Sequence, residues 1–320
     1  MLTLRLACPT DLAAAAIAVL EADPTVSSLT IWRGASAKPV GDVIWADIPR
    51  ESANDLVAKL TEIGVQELGT IQLVPVTTWI SRGGLEAERA APGSSSDAVV
   101  WAEVIERAYD DTQLTWTYLT FMTLATLLAA IAIVTDSVVL VIGAMVLGPE
   151  FTAIAALGLA LIKRRPKLLR QALRTLIIGF AVSIVVVALL ALAARGFGFI
   201  TELDVLKPRP GTAFIYSPNW WSFLVAIVAG AAGVLSLTSS RTSGLVGVFI
   251  SVTTIPASGN IAIAAVFGLW PEVIGSAAQL GINIAGMALA GWLTLLFQQV
   301  VWSRVNAPLA KRARPPQSTH

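Results

Sequence analysis

The chain of 320 residues has a single cysteine, Cys8, and a single histidine, His320. The first scarcity excludes an internal disulfide and a thiolate-rich zinc centre, and the second excludes histidine-based catalytic triads. Charge is scarce as well: 13% of residues are charged against 55% hydrophobic, too little polar surface for an ordinary soluble protein. There is no G-x-x-x-x-G-K-[ST] loop, so a nucleotide-driven pump would need a separate subunit. Enzymatic chemistry would rest on carboxylates alone, and no acid and base pair shares the membrane plane. No catalytic activity, cofactor or metal site is expected. The N-terminus lacks a basic region followed by an apolar run, so no cleaved signal peptide is expected and the first membrane helix should direct insertion.

What charge there is divides unevenly. Residues 1–114 carry sixteen acidic and eight basic side chains, whereas 115–320 carry five acidic and fourteen basic ones and most of the apolar residues. The first stretch reads as an acidic soluble domain, the second as a bundle of membrane helices with basic loops.

In the soluble half, alternation from Leu2 to Leu6 predicts a half-buried strand, and Thr10 is placed to cap an alanine-rich helix running to about Ala22. A strand at Ser28 to Arg33, a Gly34 to Gly41 turn and a strand at Asp42 to Ile48 follow. A helix then has Ser52 and Asp55 at capping-box spacing, with Leu56, Leu60 and Ile63 on one face. Gly64 ends it, and a last strand, Thr70 to Val76, completes βαββαβ, the ferredoxin-like α+β pattern, within residues 1–80. Such a domain is suited to ligand sensing or to assembly, and its acidity disfavours nucleic acid as a partner. Residues 81–96 read as a polar, glycine- and serine-rich linker. From Asp97 to Asp111 an amphipathic connector helix sets Val100, Val104 and Ala108 on one stripe and Glu103, Glu106, Asp110 and Asp111 on the other face. Linker and connector together occupy 81–114.

Six segments can span about 30 Å of hydrocarbon at roughly 1.5 Å per residue. They lie at about 115–135, 137–162, 172–194, 220–239, 243–268 and 272–302, giving a polytopic α-helical domain over 115–303 and a basic tail over 304–320. Trp116, Trp220, Trp221, Trp270 and Trp302 fall where an interfacial aromatic belt belongs. Lys163, Arg164, Arg165, Lys167, Arg170 and Arg174 cluster between the second and third spans, and Lys311, Arg312 and Arg314 follow the sixth. Positive charge stays inside, so both termini are expected in the cytoplasm and the 195–219 loop outside.

Three stretches carry a resemblance: IGAMVLGP (Ile142 to Pro149, preceded by Asp136 and Ser137), GVFISVTTIPASGNIAIA (Gly247 to Ala264) and QLGINIAGMALAG (Gln279 to Gly291). Through them, most of residues 115–300 resembles the bacterial hydrophobic membrane-protein family known as domain of unknown function 389. The resemblance implies a multi-span membrane protein with an N-terminal cytoplasmic domain, and it names no activity. The chain departs from the family at Glu150, where an apolar residue is usual, and at Pro256, which often has a second proline beside it.

Pro149 and Pro256 each fall midway along a span. Proline removes an amide donor and crowds the preceding turn, so each span should split into two half-helices. Freed carbonyls and amides in hydrocarbon cost several kcal/mol each unless they meet protein, water or ligand, so broken helices belong beside a cavity. A shift of about 107 residues superposes Pro149 on Pro256, which admits a 3+3 inverted repeat with its site near the bilayer midplane. Candidate substrate- or ion-binding residues are Gly148, Pro149, Glu150 and Thr152 at one break, Ser251, Thr253, Thr254, Pro256, Ser258 and Asn260 at the other, and Asn283 in the sixth span. Glu150 stands out, because an ionisable group within a span is costly and marks a functional site or a helix cap. Asp136 suits a turn or cap. Gly281, Ala285, Gly286 and Ala290, with Gly230 and Gly233, permit close helix contact, within one chain or in a homo-oligomer.

The expectation is an inner-membrane transporter for a small solute or ion, with the soluble domain regulating or assembling it. The alternative is a non-transporting sensor or scaffold whose soluble domain binds a ligand or partner.

Overall fold

The computed structural model describes residues 1–91, 98–209, 211–212, 215, 220–238 and 254–312. The chain divides into two compact units, one built mainly from Met1–Val104 and the other from Ile105–Leu237 with Arg241–Gln299.

In the first unit, alternating apolar residues make β1 (Leu2–Cys8), β2 (Ser28–Ala37), β3 (Val40–Ile48) and β4 (Thr70–Pro75), one antiparallel sheet in the order β2-β3-β1-β4. The register pairs Leu2 with Ile48 and Leu6 with Ile44, so both strands present the same face. Leu2, Leu4, Leu6, Ile44 and Ile48 are buried there under Ala16, Ile17 and Leu20 of α1 (Thr10–Glu21) and Leu56 and Leu60 of α2 (Ala53–Glu62). Each such leucine contributes roughly 1.5–3 kcal/mol on burial. A single turn, α3 (Val65–Leu68), leads into β4. On the opposite face the Arg5 guanidinium lies 4.2 Å from the Trp45 ring, and Trp45 meets Trp32 edge-on at 4.9 Å.

Several local expectations change. Pro9, not Thr10, holds the N-cap of α1, and the Thr10 hydroxyl donates to Asp42 across 3.5 Å. β2 runs past Gly34 to Ala37, with its register interrupted between Trp32 and Ser36, where Gly34 takes a positive φ of 63°. Ser52 makes no capping bond. Its hydroxyl donates to the Pro49 carbonyl within a 3-10 turn, Arg50–Ser52, that precedes α2. Gly64, at φ 87°, ends the helical segment as its freedom allows.

The stretch read as linker contains a helix, α4 (Arg82–Ala90). The Ser81 hydroxyl accepts from the Gly84 amide at 3.2 Å, and Arg82 pairs with Glu86 one turn on, which offsets the cost of Gly83 and Gly84. The rest of that stretch, 92–96, falls outside the described residues. The connector, α5 (Trp101–Asp111), starts four residues later than expected; Asn54 holds its entry by donating to the Val99 carbonyl and accepting from the Trp101 amide.

The described helices lying wholly or mainly in the second unit are α6 (Trp116–Thr135), α7 (Val138–Leu147), α8 (Glu150–Ile162), α9 (Pro166–Gly196), the short α10 (Glu202–Leu206), α11 (Trp220–Thr238), α12 (Ile255–Val266) and α13 (Trp270–Arg312). Among the described residues three are long and apolar enough to cross a membrane: α6, α9 and the Trp270–Val301 part of α13. The α7–α8 pair, bent by 58°, makes a fourth if it is one span. These are the helices of a membrane protein. Apolar α11 and α12 are shorter, and residues 243–253 of the expected fifth span lie outside the described residues.

Small residues let these helices meet through backbone. A methyl group at Gly259 would come 2.8 Å from Ala130 N, at Gly158 2.9 Å from Trp292 N, and at Gly230 2.7 Å from Met287 Cα. Gly281 faces open space. Trp116, Trp220 and Trp270 are exposed, as belt residues should be; Trp221 and Trp302 have no described side-chain surroundings.

Candidate functional site

Both prolines stand where helices begin. Gly148 ends α7 in an extended conformation, Pro149 is the N-cap of α8, and Pro256 falls in the first turn of α12. There proline needs no amide partner. The two starts meet: Glu150, the first residue of α8, accepts at Oε1 a hydrogen bond of 2.8 Å from the hydroxyl of Thr254, the N-cap of α12. Both side chains are completely buried. Two helix N-termini therefore converge on one carboxylate. Gly148 belongs to the same contact, since a methyl group there would come 2.8 Å from Ile255 Cγ1.

Ser258, one turn along α12, shares a hydrogen bond of 3.0 Å with Thr126 of α6 and also donates to the Ile255 carbonyl. Thr152 turns to its own break instead, donating to the Pro149 carbonyl across 3.3 Å. Ser251 and Thr253 lie outside the described residues.

Asn260 belongs to a second cluster. Its amide nitrogen donates to Ser276 at 2.9 Å and to Glu272 at 3.3 Å, both near the start of α13. The Arg209 guanidinium donates to both Glu272 oxygens at 2.9 and 2.8 Å and to the side-chain Oδ1 of Asn260 at 3.4 Å. Asn283, two turns beyond Ser276, is buried, and its amide nitrogen has no hydrogen-bond partner among the described residues. Asp136 closes α6 in a left-handed turn and accepts from the Thr212 hydroxyl at 2.9 Å and the Gly211 amide at 3.3 Å, which pins the loop after α10.

Sequence reasoning missed Thr126, Arg209, Glu272, Ser276 and Tyr118. Tyr118 of α6 is buried, its hydroxyl lacks a hydrogen-bond partner among the described residues, and its phenol lies within electrostatic reach of Glu150. A signal existed for α13: Glu272, Ser276, Gln279 and Asn283 recur every three or four residues on an apolar helix and mark one polar stripe. Arg209 carries no comparable signal, because only tertiary structure brings it to α12.

Residues 145–289 match the model of the family described as "Domain of unknown function (DUF389)", the family that the motifs resemble. The match covers Pro149, Glu150, Pro256, Asn260 and Asn283. The chain is similar to the uncharacterized protein MJ0678 of Methanocaldococcus jannaschii, 28% identical over 184 residues, or 58% of this chain and 52% of that protein. It thus spans about half the length of the curated relative it matches. No solved structure matches it.

Proposed function

We propose that the helical unit carries a small solute or ion across the bacterial inner membrane through the meeting point of the two breaks, with the N-terminal unit regulating or assembling it. The observation that carries this reading is the buried Glu150–Thr254 hydrogen bond between the starts of α8 and α12. An acidic residue at the centre of a span costs about 3 kcal/mol, a cost retained where a charge has work to do. Glu150 would bind a cation or carry a coupling proton, with Thr254 and Ser258 supplying neutral oxygen. The side chains are covered, so a solute reaches them only when the packing around α12 opens.

The wider architecture in this reading is about six spans in a 3+3 inverted repeat, α6 to α9 followed by α11 to α13, with both termini cytoplasmic. The matched proline positions and the basic segment before α9 support it. The N-terminal unit is a ferredoxin-like domain, supported by its strand order β2-β3-β1-β4. No catalysis is assigned to either unit, and the small-residue helix faces suit a homo-oligomer.

The test is ion-gradient-driven flux in vesicles reconstituted with the purified full chain, read with an internal pH dye and a range of monovalent cations. Glu150→Gln abolishes coupled flux while the melting temperature and monodispersity stay at wild-type values. Unchanged flux in a folded Glu150→Gln protein removes Glu150 from the mechanism.

One observation favours the second reading, a non-transporting sensor or scaffold. Trp32 and Trp45 are partly exposed and stand beside Arg5 on the sheet face opposite the helices, a surface suited to a planar or anionic ligand. Ligand binding that depends on Trp45, in a protein with no flux, would support it.

A further inference from the structure

The basic segment expected in a loop is partly helical, because α9 starts at Pro166 and takes Lys167, Arg170 and Arg174 into its first turns. Spaced by three and four residues, they share one face. They line a cleft of about 560 Å³ whose other wall is Gln113 and Leu114. The back of the cleft is held in place: Gln171 donates to the Tyr109 carbonyl at 2.8 Å, and Thr175 donates to the Thr112 carbonyl at 2.7 Å.

None of the three cations has a carboxylate within ion-pair distance among the described residues. The nearby Asp110 is engaged by Gln113, which donates to it at 3.1 Å, so this carboxylate offsets only part of the positive charge. Three cations gathered on one side of a cleft, beside the first turn of a 31-residue helix, attract an anion. Directly along the same face α9 becomes apolar and open: Leu173 is 41% and Ile177 66% exposed. A headgroup seated in the cleft would lay its acyl chains along that surface.

We propose that this cleft binds the phosphate of an anionic membrane lipid, with Lys167, Arg170 and Arg174 as its ligands. A solvated topology signal needs only the count of positive charges on that side. This cleft adds their alignment, their lack of carboxylate partners among the described residues and the adjoining apolar track.

The test titrates full-length protein in detergent with phosphatidylglycerol, phosphatidylcholine or inorganic phosphate, reading melting temperature and lipid affinity. Phosphatidylglycerol raises the melting temperature saturably and phosphatidylcholine does not. R170Q/R174Q weakens phosphatidylglycerol binding by about 30-fold. R164Q/R165Q removes the same charge from the adjoining turn and leaves affinity near wild type. R170K/R174K keeps the charge and recovers most of the binding, which separates ligand loss from misfolding. Equal weakening by both glutamine pairs, equal stabilisation by phosphatidylcholine, or full competition by inorganic phosphate overturns the assignment.

Discussion

In the N-terminal unit Leu2, Leu4 and Leu6 are sealed beneath two helices, whereas on α9 the residues left open include Ile177, Val185 and Leu189, and the covered ones include Thr175, Gly179 and Ser183. The two units solve opposite problems. The first must hide apolar surface from water, and its stability is the hydrophobic term itself. The second has nothing to gain by hiding leucine from lipid, so its helices meet through small residues, backbone contact and polar side chains that hydrocarbon would penalise. The same residue type therefore carries different weight in each unit.

Matched truncations sharpen this contrast most. Leu4→Ala destabilises the sheet by about 3 kcal/mol, read as faster hydrogen exchange of β1 amides in the full chain. Ile177→Ala, equally large in side-chain loss, leaves the detergent melting temperature nearly unchanged. A comparable loss at both positions would break the comparison.

Next in size is the Arg209–Glu272 pair. Arg209→Ala strands a carboxylate and costs about 2–3 kcal/mol, and adding Glu272→Gln restores part of it because no charge is then left buried. Thermal unfolding of the single and double variants measures the coupling. Additive losses would mean that the pair is a rim contact rather than an internal brace.

The smallest effects concern pH, and within the N-terminal unit they have opposite signs. The Gly34 amide, followed by the Arg33 guanidinium, holds the Asp42 carboxyl below its ordinary range. Its stabilisation is present above the unfolded value near 4 and disappears as pH falls through the lower folded value, so Asp42→Asn flattens that acid limb. Burial pushes the Glu51 carboxyl up, and Glu51 Oε2 has no hydrogen-bond partner among the described residues. Glu51 therefore destabilises at neutral pH, and that penalty fades as pH falls from its raised value towards the unfolded one. Glu51→Gln stabilises at pH 7 and becomes neutral below about pH 4. Exchange rates of β1 and β3 amides against pH distinguish the two.

Local pattern made much of this legible. Period-two alternation located β1 and β3, because a half-covered sheet imposes it, and proline chemistry located the starts of α8 and α12. Ser52 failed as a cap because the prior Pro49 turn captured its hydroxyl, a choice that spacing alone does not reveal. The α4 helix was masked by Gly83 and Gly84, whose low propensity was outweighed by the Ser81 cap and an ion pair. At the candidate site the members were visible but their partners were not. Glu150 and Thr254 are 104 residues apart, and Arg209 and Asn260 are 51 apart. Such pairings follow from how helices stack, which no short window of sequence contains.

The contact at Gly158 has a mechanical consequence. Gly158 of α8 lies directly on the Gly291–Trp292 backbone of α13, where a methyl group would come 2.9 Å from Trp292 N, so any side chain there would have to push the two helices apart. The half-helix that carries Glu150 is thus seated on α13 through bare backbone, and a bulkier residue at position 158 would shift its far end before it touched the carboxylate.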